Sequence, residues 1–150
     1  MVTVRAAVAD DSRMLWRWRN DETARENSIS TDEVPFDAHE AWYEGSLRSP
    51  SRRIYVGLDD DLDSIGMVRF DREHDHSVVS INLAPQARGR RLALPVLRAG
   101  IDRYRDDVGG ALALVALIRD SNAPSLRLFT AAGFAPRDLV DGVWTYSRTD

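Results

Sequence analysis

The stretch from Val78 to Ile118 restricts the fold of this chain more than any other. An apolar run, Val78 to Leu83, is followed by an arginine-bearing loop. Leu92, Val96, Leu97, Ile101 and Tyr104 then recur at helical spacing as one inward stripe. Gly109 and Gly110 stop that helix, and Ala111 to Ile118 reads as a buried strand. Strand, helix and strand in this order form a crossover between two parallel strands, so the chain is of mixed α/β type.

The remaining periodicity is placed around that unit. Val2 to Ala7 reads as a first strand, and Ser12 to Arg25 as a helix opened by Asp11 or Ser12, with Met14, Leu15 and Trp18 at helical spacing. Glu26 to Val34 is a polar loop and Phe36 to Leu47 a second helix. Ile54 to Leu58, Ile65 to Phe70 and Val78 to Leu83 form an antiparallel meander. Pro124 opens a fourth helix carrying Leu126, Leu128 and Phe129, and Gly133 ends it. Phe134 to Val140 and Val143 to Ser147 close as a hairpin about Asp141-Gly142. The expected fold is α/β (α+β): a mixed, mostly antiparallel central sheet of six to seven strands flanked by four helices. No repeat or linker interrupts the 150 residues, which are expected to form one domain.

Composition removes several chemistries. Cysteine is absent, so disulfides, thiolate zinc sites and cysteine nucleophiles are excluded. All 20 basic residues are arginine, which excludes the usual P-loop and Schiff-base lysines. Neither a Gly-x-Ser-x-Gly elbow nor a Gly-x-Gly-x-x-Gly turn occurs. A formal charge of -4 argues against nucleic acid as a partner. The longest apolar stretch, Ala111 to Ile118, is too short to span a bilayer, and Met1 to Ala9 lacks the layout of a signal peptide, so a cytoplasmic protein without membrane association is expected. His74-x-His76 has no third ligand at suitable spacing, and Asp59 to Asp63 lacks the glycine and glutamate of an EF-hand loop, so no metal is expected.

Chemistry is signalled first at Leu83-Ala-Pro-Gln-Ala-Arg-Gly-Arg-Arg-Leu-Ala93, between a strand and a long helix. A helix N-terminus offers unpaired N–H groups and partial positive charge, and Arg88, Arg90 and Arg91 add cations, as a pyrophosphate requires. A solvated basic turn is the alternative. The second signal is Asn122-Ala-Pro-Ser125, followed by Leu128 and Gly133-Phe134.

Together these segments resemble the GNAT superfamily of acetyl-CoA-dependent N-acetyltransferases. Its Gln/Arg-x-x-Gly-x-Gly/Ala pattern falls on Arg88 to Ala93, and its later Asn-x-x-Ser/Ala motif on Asn122 to Phe134. The resemblance implies acetyl-CoA as cosubstrate, held in a wedge between Val78–Leu83 and Ala111–Ile118. Arg88, Gly89, Arg90, Arg91 and Ala93 would form the pyrophosphate loop, with Asn122, Ser125 and Phe129 on the pantetheine side. Backbone N–H groups near Leu83 and Ala84 would polarise the thioester. Two positions depart from the family pattern: Arg91 replaces its central glycine, and Phe129 replaces the tyrosine that protonates the departing thiolate in many members. Ser125 or water is then the expected proton source.

The acceptor is sought in Trp16-Arg-Trp-Arg-Asn-Asp21, Arg25, and the pair His39 and Trp42. This array looks like the subgroup that acetylates 4-amino-sugar nucleotides, as in pseudaminic acid synthesis. It is less closely similar to the ribosomal-protein N-terminal acetyltransferases. A small-molecule amine is implied, with Trp16, Arg19, Asn20, Arg25, Trp42 and Asn82 as acceptor residues and Arg17, Arg19 and Arg25 on a diphosphate. His39 is the expected base among His39, Glu73, His74 and His76; a helix-capping or exposed histidine is the alternative. A protein or peptide N-terminal amine, and a non-catalytic CoA-binding sensor, are the competing readings. A homodimer is compatible with the chain.

Overall fold

The computed structural model describes residues 1–149. Among these residues seven strands form one sheet: β1 (Thr3–Ala6), β2 (Arg52–Leu58), β3 (Ser64–Arg72), β4 (Ser77–Leu83), β5 (Ala113–Arg119), β6 (Ala135–Val140) and β7 (Val143–Thr149), in the spatial order β1-β2-β3-β4-β5-β7-β6. Every neighbouring pair is antiparallel except β4 and β5. The helices are α1 (Ser12–Asn20), α2 (Glu22–Asn27), α3 (Phe36–Arg48), α4 (Ala93–Val108) and α5 (Ala123–Ala131). The mixed sheet anticipated from periodicity is therefore present. The closing turn is a left-handed pair, with φ 51° at Asp141 and 77° at Gly142, as a two-residue hairpin requires.

The core lies between the sheet and α4. Val68 and Phe70 face that helix; Phe70 stacks on Tyr104 with ring centroids 4.1 Å apart, and the Tyr104 hydroxyl shares a 2.8 Å hydrogen bond with Ser77. Gly100 lets α4 approach β3 closely, because a Cβ there would lie 2.9 Å from a Val68 methyl. Alternation places Val68 and Phe70 on the α4 face and Met67, Arg69 and Asp71 on the other, towards α1 and α3.

Two expectations need correction. The helix read as Ser12 to Arg25 is two helices, because Asp21 takes an extended ψ of 136° and its carboxylate accepts from Ala24 N–H, capping α2. Among the described residues five α-helices, not four, consequently flank the sheet. The strand read as buried, Ala111 to Ile118, spans Ala113–Arg119 and alternates: Leu114, Ala116 and Ile118 are buried, whereas Leu117 is 48% exposed. Its open face borders a large cavity. Among the described residues, no helix is long and apolar enough to cross a membrane.

Candidate active site

β4 and β5 pair only at Ser77 with Leu114 and Val78 with Val115, then separate. The gap opens into a cavity of about 830 Å³ that runs from the loop before α4, past α5, to the α1–α3 face of the sheet. Parallel neighbours that part leave backbone groups unpaired. Ala84 N–H donates to Ile65 O at 2.9 Å across to β3, so strand alternation turns the N–H groups of Ile81 and Leu83 the other way, towards the gap. Leu83 thus turns its amide towards the gap. Ala84 does not, being fully buried with its N–H spent on the sheet.

The loop before α4 is anchored by the fully buried Ala84 and Ala87. Gly89 and Arg91 are both left-handed, with φ of 75° and 58°. Arg91 therefore adopts at some cost, about 1–2 kcal/mol for an L-residue, the backbone that glycine takes freely. Its side chain is exposed and lines the cavity. At the start of α4, Leu92 supplies no side-chain cap, Pro95 has no N–H, and Val96 makes the first intrahelical bond, to Leu92 O at 3.0 Å. The Ala93 and Leu94 amides remain for an anion. Arg88 lines the same mouth but pairs with Asp21 at 2.7 Å, which ties the loop to the α1–α2 break. Arg90 is exposed and lies off the cavity wall.

On the α5 side, Asn122, Ser125 and Phe129 all line the cavity. Asn122 caps the helix by accepting from Ser125 N–H at 3.3 Å, and Phe129 is buried against Phe134. At the far end the wall is formed by Arg19, His39, Trp42, Arg69, Ser80 and Asn82. The guanidinium groups of Arg19, Arg52 and Arg69 each lie 5.3 Å from the Trp42 ring centre. Asp71 bridges Arg52 and Arg69. Arg69 escaped the sequence reading because a lone arginine in an apolar strand looks like ordinary alternation; only its register opposite Ser80 reveals its place.

The other expected acceptor residues serve the fold. Trp16 donates from Nε1 to Val34 O at 2.7 Å and packs edge-on against Phe36. Asn20 clamps Val34, donating to its carbonyl and accepting from its N–H. Arg25 donates to Asn20 O at 3.1 Å. All three secure the segment between α2 and α3 and lie off the cavity wall. Glu73, His74 and His76 occupy the β3–β4 turn, at the opposite end of β4 from Leu83.

His39 lines the cavity but is only 1% exposed. Its Nε2–H donates to Ser12 O at 2.9 Å, and Nδ1 is enclosed without a partner. The ring is therefore not the exposed histidine that was the alternative to a base; it pins α3 to α1, and only its enclosed Nδ1 is left to accept a proton. Burial, chiefly, and the charge of Arg19 hold its pKa below the usual histidine range, against the opposing influence of Ser12 O and Glu40. A folded-state pKa below the unfolded value of about 6.5 means that the unfolded chain binds the proton more readily. The stability linked to neutral His39 is full above about pH 6.5 and is lost as pH falls towards and through the folded pKa. Denaturant titrations should show lower stability at pH 5.5 than at 7.5, with His39→Gln narrowing the difference; an equal difference in the variant would place the loss elsewhere.

A family model described as acetyltransferase (GNAT) domain matches residues 2–135. No curated protein matches the chain significantly. Among solved structures, spermidine N-acetyltransferase from Vibrio cholerae in complex with CoA and spermine is similar, with a TM-score of 0.86 at 18% identity over 99% of this chain and 94% of that one. A domain from Methanocaldococcus jannaschii gives 0.85 at 16% identity over 100% and 99%. An aminoglycoside acetyltransferase in complex with coenzyme A gives 0.82 at 20% identity over 100% and 94%.

Proposed function

The chain belongs to the GNAT acetyltransferase family, and from that membership we propose that it transfers acetyl from acetyl-CoA to the primary amine of a small molecule. The observation that carries this reading is the parting of β4 and β5 beyond Val78, which aims the Leu83 amide into a cavity mouthed by the open N-terminus of α4. The residues present fit the cosubstrate. Ala93 and Leu94 amides, with Arg91 and Arg88, meet the pyrophosphate; Asn122 and Ser125 border the pantetheine arm.

Acetyl-CoA supplies an activated thioester, whose C–S bond breaks as the amide C–N bond forms. Leu83 N–H donates to the carbonyl oxygen where negative charge develops. The open cavity lets the acceptor's ammonium proton pass to solvent before attack, since His39 Nε2 already carries the proton it donates to Ser12 O and Nδ1 is enclosed. Phe129 has no proton to give, so the Ser125 hydroxyl, one helical turn earlier on α5, relays to the thiolate the second proton that the acceptor nitrogen sheds as the amide forms.

The acceptor suggested by the N-terminal motifs is an amino-sugar nucleotide. Of the arginines expected on its diphosphate only Arg19 lines the cavity, beside Trp42 as a stacking face. Calorimetry of acetyl-CoA binding, followed by thiol-release assays with primary amines, tests the proposal. Saturable binding and amine-dependent thiol release are expected; absence of binding to folded protein would refute it.

A further inference from the structure

Resting on the acetyltransferase reading, we infer that the acceptor enters with a phosphate or carboxylate seated on Arg19 against Trp42, and that polycationic amines are excluded. Among the described residues, five arginines line the cavity, Arg19, Arg69, Arg88, Arg91 and Arg127, and no aspartate or glutamate does. With Arg88 and Arg91 taken by the cosubstrate's phosphates, a polyamine at the acceptor end would still meet Arg19 and Arg69 and no cavity-lining carboxylate to oppose its ammonium groups.

The bias is sharpest around Trp42. Three guanidinium groups surround the ring, and a single carboxylate, Asp71, is divided between Arg52 and Arg69. Arg19 has no ion-pair partner among the described residues. It is accessible to solvent, so a ligand can reach it. Partial desolvation and the neighbouring Arg69 charge lower its pKa. An arriving anion relieves the repulsion between Arg19 and Arg69 and receives the planar fork that phosphate and carboxylate fit. Trp42, already faced by cations, then offers the acceptor's carbon frame an apolar wall.

Binding of matched ligands to the CoA-loaded protein tests this without requiring turnover. Glucosamine and glucosamine 1-phosphate share an amine and differ in the anion; spermidine supplies the polycation. Calorimetry should show glucosamine 1-phosphate binding about 10- to 100-fold more tightly than glucosamine, the range a charged hydrogen bond spans, with spermidine weakest. In Arg19→Gln the ratio should fall towards one, and Arg19→Lys should retain part of it. Equal affinities for the two sugars, tighter binding of spermidine, or an unchanged ratio in Arg19→Gln would overturn the inference while leaving acetyl-CoA binding, and the acetyltransferase reading, intact. If Arg19→Gln instead weakens acetyl-CoA as strongly as it weakens the sugar phosphate, Arg19 serves the cosubstrate and the inference falls. Loss of acetyl-CoA binding by the wild-type chain would remove the acetyltransferase reading itself.

Discussion

Arg88→Glu is expected to weaken acetyl-CoA binding at least 100-fold. Arg88 stands at the cavity mouth beside the uncapped first turn of α4, where the pyrophosphate is proposed to lie. A charge-assisted contact of this type contributes about 1.5–3 kcal/mol, and a carboxylate in its place adds repulsion from the same phosphates, so a total near 3–4 kcal/mol follows. At about 1.4 kcal/mol per decade that exceeds a hundredfold. Arg88→Gln removes the cation without adding an anion and should cost roughly tenfold.

The Asp21–Arg88 pair permits a test in the opposite direction. With side chains 25% and 30% exposed, this ion pair belongs with partly solvated bridges worth up to about 1 kcal/mol. Asp21→Asn frees Arg88 while keeping the α2 cap, since asparagine caps as well as aspartate. Affinity for acetyl-CoA should rise by as much as about fivefold. Equilibrium titrations of these variants read the loop assignment from both sides. Unchanged affinity in Arg88→Glu would remove Arg88 from it.

The same ion pair explains part of what periodicity could and could not reveal. The crossover from β4 through α4 to β5 was legible because its apolar stripe and its Gly109-Gly110 stop are local signals. The break at Asp21 was not. Glu22 to Asn27 continues the polar helical pattern of α1, and the kink is fixed by Asp21 capping Ala24 and reaching Arg88 across the fold. Trp16 shows the same difficulty within a single helix. It lies one turn before Arg19, yet a hydrogen bond to Val34 and the ring of Phe36 occupy it, while Arg19 meets the cavity. Residue type and spacing mark both as candidates; the long-range partner separates them. The left-handed φ of Arg91 likewise accounts for the family's glycine there, but only the backbone shows that arginine accepts the same conformation.

Leu83→Pro is expected to lower kcat by about 100- to 1000-fold, the usual cost of removing one preorganised donor to a developing oxyanion. The substitution is unusually selective at this position. Because Ala84 donates to Ile65, the Leu83 N–H points away from β3 into the gap beside β5, so proline removes no bond of the β3–β4 ladder. The extended backbone that proline imposes on Asn82 is the one a strand already has. Some loss arises from the side chain, since Leu83 covers Gly66, where a Cβ would come within 2.9 Å of its Cδ2. Leu83→Ala measures that share: it trims the packing and keeps the amide. Acetyl-CoA affinity should fall less than tenfold in both variants, because α4 and the arginines hold the phosphates independently of this donor. Single-turnover rates with saturating acetyl-CoA then isolate the chemical step. If Leu83→Pro and Leu83→Ala slow it equally, the amide stabilises nothing, and the polarising role belongs to another group on the cavity wall.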